Sequence, residues 1–284
     1  MYCSFFGFRE KPFDVTPDHR FLYLTSRHRE ALASILYGIR ERRGFIALIG
    51  AAGTGKTTLL HAAINQLDPN TEVAFIFNSD LPFLQVLALI LDEFRLLGST
   101  KKLTKLDAFR RLNDFAIQQM SRGGNVVIMV DEAQNFDNRT IEGLRLLSNL
   151  ESGNHKMIQM VLSGQPELNP KLDTEKMQQF VQRISLKRHI LPLDKKDIFI
   201  YIQHRLKIAK YEGDSLFSRR ALQLISEYSQ GIPRKINVLC DNALLTAFAM
   251  GKKRIKAAIV EETINDFTHN PYSGNGHKRR LRFS

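Results

Sequence analysis

One short segment, Gly50-Ala-Ala-Gly-Thr-Gly-Lys-Thr57, constrains the fold of this chain more than any other feature of the sequence. It matches the pattern G-x-x-x-x-G-K-[ST] at every fixed position, after the apolar run 45–49 and before a helical pattern over 57–67. Glycines let the backbone N–H groups face phosphate oxygens, and the helix N-terminus favours negative charge. The segment therefore predicts a nucleotide-binding phosphate loop between a strand and a helix.

The residue types of this loop predict its ligands, ATP and Mg²⁺. Lys56 is expected to reach the β- and γ-phosphates, and the hydroxyl of Thr57 is expected to hold the metal ion. The residues expected to contact the nucleotide are Gly50, Ala51, Ala52, Gly53, Thr54, Gly55, Lys56, Thr57 and Thr58.

A second pair of functional residues ends the apolar run 126–131, where Asp131 is followed by Glu132. A buried strand that ends in two carboxylates would bring Asp131 close to the Mg²⁺ and leave Glu132 to polarise a water molecule. Attack by water on the γ-phosphate suits this pair, whereas a kinase would need a site for an acceptor substrate. Hydrolysis is therefore favoured over phosphoryl transfer to a small molecule.

The order of the apolar patterns predicts a parallel α/β sheet followed by a helical domain. Five β-rich runs are expected to form strands covered on both faces, with helical patterns between them. The runs are 45–49, 73–78, 126–131, 158–163 and 185–191, and the clearest intervening helices are 84–97 and 106–120. From Asp194 onward only helical patterns remain, over 198–209, 218–229, 234–250 and 257–267. The expected domains are an α/β domain with the N-terminal segment over 1–193, a small helical domain over 194–268 and a disordered basic tail over 269–284.

The charge of the chain is unusual, since 41 Lys and Arg residues stand against 29 Asp and Glu residues, a net charge of +12. Such an excess favours contact with a polyanion, either nucleic acid or an anionic membrane surface, although a solvated basic surface is the alternative. Arg40, Arg42 and Arg43 form one basic cluster, and residues 252–284 hold another. No apolar run approaches the roughly 20 residues of a membrane-spanning helix, and the N-terminus lacks a signal-peptide pattern. A cytoplasmic protein without an integral membrane segment is expected.

Several further segments resemble AAA+ ATPases of the general secretion pathway protein A (ExeA) type. The resemblance covers about residues 2–268 and implies an αβα nucleotide-binding domain with a helical lid. It rests on Phe5-Phe-Gly-Phe-Arg-Glu-Lys-Pro-Phe-Asp-Val-Thr-Pro-Asp18, Arg20-Phe-Leu-Tyr-Leu24, His28-Arg-Glu-Ala-Leu32, Asp131-Glu-Ala-Gln134, Leu146-Leu-Ser-Asn-Leu-Glu151, Ser163-Gly-Gln-Pro-Glu-Leu168 and Gly231-Ile-Pro-Arg234.

This resemblance implies roles for polar residues near the ends of two predicted strands. Asn78 matches the position that orients the catalytic glutamate in AAA+ proteins, with an ordinary strand-end asparagine as the alternative. Gln165 lies near the sensor-1 position, for which Ser163 is the competing choice.

The resemblance also implies roles for arginines. Arg183 resembles the arginine finger offered to a neighbouring subunit's ATP, and Arg188 is the alternative. Arg234 in Gly-Ile-Pro-Arg resembles sensor 2, which reaches from the lid to the γ-phosphate. A guanidinium suits both roles because it is permanently charged and can bind phosphate oxygens bidentately.

An arginine finger supplied by a neighbour implies self-assembly into a ring or a filament. The ExeA resemblance implies an ATPase that acts on a protein client in secretion or envelope assembly, although a membrane helix and a peptidoglycan-binding region usually follow in that family and neither precedes Ser284. The alternative is an AAA+ regulator of transposition target selection that binds double-stranded DNA, which the basic charge favours. A P-loop small-molecule kinase is a weaker alternative.

Overall fold

A parallel five-stranded sheet forms the centre of the larger part of the chain, in the strand order β2-β3-β6-β1-β7. The computed structural model describes residues 1–15, 18–77, 81–98, 103–152 and 155–268. Its strands are β1 (Phe45–Gly50), β2 (Thr71–Ile76), β3 (Asn125–Val130), β4 (Glu151–Ser152), β5 (His155–Lys156), β6 (Ile158–Gly164) and β7 (Ile184–Ile190). Strands β4 and β5 form a separate antiparallel pair.

The helices in the described residues lie before, between and after these strands. They are α1 (Tyr2–Phe6), α2 (Ser26–Arg40), α3 (Lys56–Ile64), α4 (Phe83–Glu93), α5 (Lys105–Ser121), α6 (Asn138–Leu147), α7 (Leu168–Leu172), α8 (Gln178–Val181), α9 (Lys195–Ile208), α10 (Arg219–Ser229), α11 (Pro233–Ala249) and α12 (Ala257–Thr268).

The sheet has an apolar core on each face, as expected for strands with near-continuous apolar sequence. Every residue of β1 and of β6 is buried. In β3 the side chains alternate, since Val126, Ile128 and Val130 belong to one core cluster while Val127 and Met129 belong to the other. The predicted α/β sheet with helices on both faces is therefore confirmed, and the sheet holds the ends of β1, β3 and β6 at one edge.

The chain divides into two compact units, one formed by Pro17–Leu193 and the other by Met1–Thr16 together with Asp194–Ser284. The first is called the sheet unit and the second the helical unit. The prediction for the N-terminal residues differs from this division, because it placed them in the nucleotide-binding domain. The rings of Phe5 and Phe248 meet at 5.2 Å between centroids, and the guanidinium of Arg205 donates to the carbonyl oxygen of Pro12 at 2.5 Å. The N-terminal segment thus completes the core of the helical unit.

Some element ends also differ from the sequence pattern. The helix predicted over 84–97 ends at Glu93, and Arg95 adopts the left-handed conformation with φ 57°. The helix after the phosphate loop ends at Ile64, and β2 begins earlier than predicted, at Thr71. Residue 78 and the basic tail 269–284 lie outside the described residues.

Candidate active site

The phosphate loop follows β1 directly and depends on glycine at three positions. Gly53 and Gly55 have φ values of 78° and 98°, in the left-handed region that disfavours other residues. A Cβ on Gly50 would lie 2.8 Å from the carbonyl oxygen of Ile190 and 2.9 Å from Oγ1 of Thr54. The glycines of the motif are therefore explained by backbone geometry and by close packing.

Lys56 begins helix α3 and turns its side chain back into the loop. Its Nζ donates to the carbonyl oxygens of Gly50 at 2.9 Å and Ala51 at 3.3 Å, and the residue is only 4% exposed. Burial lowers the pKa of Lys56, while the carboxylates of Glu132 and Asp131 act in the opposite direction. A buried cation whose donors point at the loop interior is placed to receive phosphate oxygens.

Asp131 lies at the end of β3, where two hydroxyl groups bind its carboxylate. Oγ1 of Thr57 donates to Oδ2, and Oγ of Ser163 donates to Oδ1 at 2.7 Å. Asp131 is 3% exposed and Ser163 is fully buried. A hydroxyl and a carboxylate in direct contact form a set of hard oxygen donors that suits Mg²⁺, usually completed by water and substrate phosphates. Thr57 and Asp131, both predicted as metal ligands, are thus brought together by the fold.

Glu132 has a different environment from its neighbour Asp131. Its backbone adopts φ 52°, so its side chain leaves the strand direction, and its Oε2 accepts hydrogen bonds from Nε2 of Gln134 at 2.6 Å and of Gln165 at 2.9 Å. Burial raises the pKa of Glu132, but the two amide donors and Lys56 outweigh burial and hold this pKa below its usual range. The carboxylate is therefore kept ionised, as a base toward water requires.

The structure separates the two residues that the sequence left as alternatives for one role. Ser163 binds Asp131, whereas Gln165 binds Glu132. The backbone N–H of Gln165 also donates to Oε1 of Gln134 at 2.9 Å, so the two glutamines and the glutamate form one closed set of hydrogen bonds.

Sequence reasoning missed three residues that shape this site. Gln134 belongs to the segment Asp131-Glu-Ala-Gln134, which drew attention to it. Its contact with Glu132, however, depends on the 3-10 turn Ala133–Asn135. Lys171 on α7 donates to the carbonyl oxygens of Gln134 at 2.6 Å and Phe136 at 2.5 Å, a contact that no spacing indicates. His28 on α2 is buried, and its Nε2 lies 3.2 Å from the carbonyl oxygen of Thr54.

Arg183 and Arg188 make contacts elsewhere in the sheet unit. Nη1 of Arg183 donates to Oγ of Ser148 at 3.0 Å, and Nε of Arg188 donates to Oγ of Ser34 at 2.8 Å. Arg234 belongs to the helical unit, where it is exposed in the first turn of α11. Asn78 lies outside the described residues. The roles of these four residues stay predictions.

Residues 39–172 match a protein family described as AAA domain, and the sheet unit has the fold of P-loop AAA+ proteins. Two solved structures share this fold. The ORC2 protein of Aeropyrum pernix, in ADPNP and ADP complexes, has a TM-score of 0.68 and 20% identity over 91% of this chain and 72% of that chain. Drosophila ORC bound to DNA has a TM-score of 0.68 and 19% identity over 91% of this chain and 65% of that chain. At these identities the likeness establishes the fold alone.

The chain is also similar to General secretion pathway protein A of Aeromonas hydrophila, with 42% identity over 255 residues. The match covers 90% of this chain and 46% of the relative, so the chain spans less than half of that protein's length. This similarity confirms the resemblance inferred from the motifs. Among the helices of the described residues, none has the length and apolar character that crossing a bilayer requires.

Proposed function

We propose that this chain is an AAA+ ATPase that binds ATP with Mg²⁺ and hydrolyses it to ADP and phosphate. The observation that carries this proposal is the division of labour between two adjacent carboxylates at the end of β3. Asp131 is bound by Thr57 and Ser163, whereas Glu132 is held apart by two amide groups. We therefore assign Asp131 to metal binding, whereas Glu132 stays ionised and can act on a water molecule.

The chemistry follows from the positions of these side chains. The loop N–H groups and Lys56 would bind the phosphates, and their positive charge would stabilise the charge of the transferring phosphoryl group. Mg²⁺, when bound, would be held by Thr57 and Asp131 and would neutralise charge on the phosphate oxygens. Glu132 would orient a water molecule and accept its proton as the water oxygen bonds to the γ-phosphorus, while the bond from the γ-phosphorus to the β–γ bridging oxygen breaks and ADP leaves.

Self-assembly is a further part of the proposal. We expect Arg183, or Arg188 in its place, to contact the nucleotide of a neighbouring subunit, and Arg234 to contact the γ-phosphate from the helical unit. A head-to-tail interface of this kind closes into a ring or continues as a filament. The similarity to General secretion pathway protein A supports a role on a protein client in secretion or envelope assembly.

The other functions considered from the sequence receive less support. The relative with 42% identity is named for secretion, and the DNA-bound neighbour shares only 19% identity. The net charge of +12 is the main feature in favour of regulation of transposition by a DNA-binding protein. A kinase is disfavoured because the adjacent carboxylates of Asp131 and Glu132 suit attack by water, whereas a kinase would need a site for an acceptor substrate.

The substitution Glu132→Gln tests the proposed hydrolysis. It should leave the affinity for ATP within about twofold and lower turnover by about a thousandfold, because binding contacts remain while the base is lost. Phosphate release measures turnover, and a fluorescent ATP analogue measures affinity.

The matched control is Glu142→Gln, which removes a carboxylate of the same unit that pairs with Arg145 at 2.6 Å outside the site. This variant should retain turnover. If Glu132→Gln hydrolysed ATP at the wild-type rate, Glu132 could not be the base that activates water.

A further inference from the structure

The sheet edge opposite the phosphate loop contains a polar cavity. The loop follows the carboxyl end of β1, whereas this cavity lies at the amino ends of β2 and β3, which are parallel to β1 in the same sheet. Its volume is about 320 Å³. Its walls are formed by Arg40, Arg42, Asp68, Asn70, Thr71, Gly123, Gly124 and Asn125, so two of the three arginines that cluster in the sequence meet in it.

Arg42 has a side-chain donor without a partner in the part of the chain that the structure describes. Its backbone adopts the left-handed conformation with φ 52°, and its Nη2 donates to the carbonyl oxygen of Gly124 at 2.6 Å. This bond fixes the guanidinium against the turn between α5 and β3. Nη1 is buried and has no hydrogen-bond acceptor among the described residues. Because a buried cationic donor without an acceptor is costly, a ligand that supplies acceptor oxygens would stabilise it.

Arg40 supplies a second cation that is only weakly engaged. Its Nη2 lies 3.5 Å from Oδ1 of Asp68, and the two side chains are 52% and 63% exposed. An exposed ion pair at this distance contributes little to stability, so Arg40 can turn toward an anion at a small cost in free energy. Asp68 is the one acid among the lining residues, and two arginines against one aspartate leave the cavity positive.

We propose that this cavity binds a phosphate group at a site separate from the phosphate loop. The planar guanidinium of Arg42 would turn its Nη1, which is buried in the wall, toward one oxygen, and Arg40 would approach a second oxygen from the rim. The amide of Asn70 and the hydroxyl of Thr71 are further potential donors on the wall. The phosphate group can belong to a small molecule or to a nucleic-acid backbone, since both present the same oxygens.

Calorimetric titration with inorganic phosphate, at constant ionic strength, tests the proposal. All proteins carry Lys56→Ala, so that the phosphate loop does not compete for the titrant. Arg42→Gln and Arg40→Gln should each raise the dissociation constant by about tenfold or more, as expected for the loss of one charge-assisted hydrogen bond. Arg43→Gln is the matched control, because that guanidinium donates to the hydroxyl of Tyr37 and does not line the cavity. It should change the constant by less than about twofold.

Fluorescence anisotropy of a labelled DNA duplex with the same proteins distinguishes the two sources of phosphate. A greater loss of DNA affinity in Arg42→Gln than in Arg43→Gln supports a nucleic-acid phosphate. Equal DNA affinities together with lost phosphate binding support a small phosphate-bearing ligand. The proposal is overturned if Arg42→Gln and Arg40→Gln bind inorganic phosphate as tightly as the parent protein does. It is also overturned if Arg43→Gln loses as much affinity for phosphate as those two variants. The contacts of Arg40 with Gln66 and Asp68 are exposed, so its variant tests the site even where Arg42→Gln lowers stability.

Discussion

Gln165→Met tests whether the amide donors on Glu132 control the proposed base. The change removes the hydrogen bond from Nε2 of Gln165 to Oε2 of Glu132, 2.9 Å long, with little change in side-chain volume. A hydrogen bond to a charged group contributes about 1.5–3 kcal/mol, so losing the orientation that this bond gives the carboxylate can lower the rate by at most roughly 10- to 150-fold. Because Gln134 still donates at 2.6 Å, we expect the lower end, about a tenfold loss of kcat.

The pH dependence provides a second readout with a definite sign. Glu132 acts as a base only when ionised, so turnover is present above its pKa and is lost as the pH falls through it. The bond from Gln165 lowers this pKa, so its removal should raise the pKa and move the acidic limb of the kcat profile to higher pH. The KM for ATP should change little, because the amide contacts the base rather than the phosphate loop.

Steady-state phosphate release across the acidic range measures both effects. The matched control is Gln178→Met, an exposed glutamine at the start of α8 that should leave the profile in place. An unchanged acidic limb and an unchanged kcat in Gln165→Met would refute the role assigned to this amide.

Three other substitutions test contacts in the two units. Lys171→Met should lower kcat severalfold, because its ammonium donates to two backbone carbonyls of the turn that carries the base, and an unchanged kcat would count against that support. Gly50→Ala should abolish binding of a fluorescent ATP analogue, because the new Cβ would lie 2.8 Å from the carbonyl oxygen of Ile190, and retained affinity would contradict this steric account. Arg205→Met should lower the free energy of unfolding by roughly 3 kcal/mol, because this buried guanidinium donates to carbonyls of the N-terminal segment. Urea denaturation measures the loss, and the exposed Arg219→Met should show almost none.

The sequence predicts the sheet and the nucleotide loop well because both depend on local patterns. A strand covered on both faces is apolar at nearly every position, and the run 158–163 falls within the fully buried β6. Gly53 and Gly55 carry their own signal, since few residues other than glycine adopt their φ values. These features need no knowledge of the rest of the chain.

The contacts that complete the candidate site depend on tertiary structure and leave no local pattern. Lys171 reaches the carbonyl oxygen of Gln134 across 37 residues of sequence, and Ser163 reaches Asp131 across 32 residues. Helix ends are also set by single conformations, as when Arg95 turns left-handed after α4. Phe5 could have packed on any apolar surface, and only the fold identifies Phe248 as its partner.

The divided sequence of the helical unit has a consequence for how the chain folds. The hydroxyl of Tyr2 donates to the carboxylate of Asp241, two residues separated by 239 positions, with the whole sheet unit encoded between them. During synthesis from the N-terminus, the first segment must wait for its partners until α11 has left the ribosome, while the sheet unit can already fold. Shortening the N-terminus, or fusing a bulky tag to it, would therefore damage the unit made last, far away in sequence from the change.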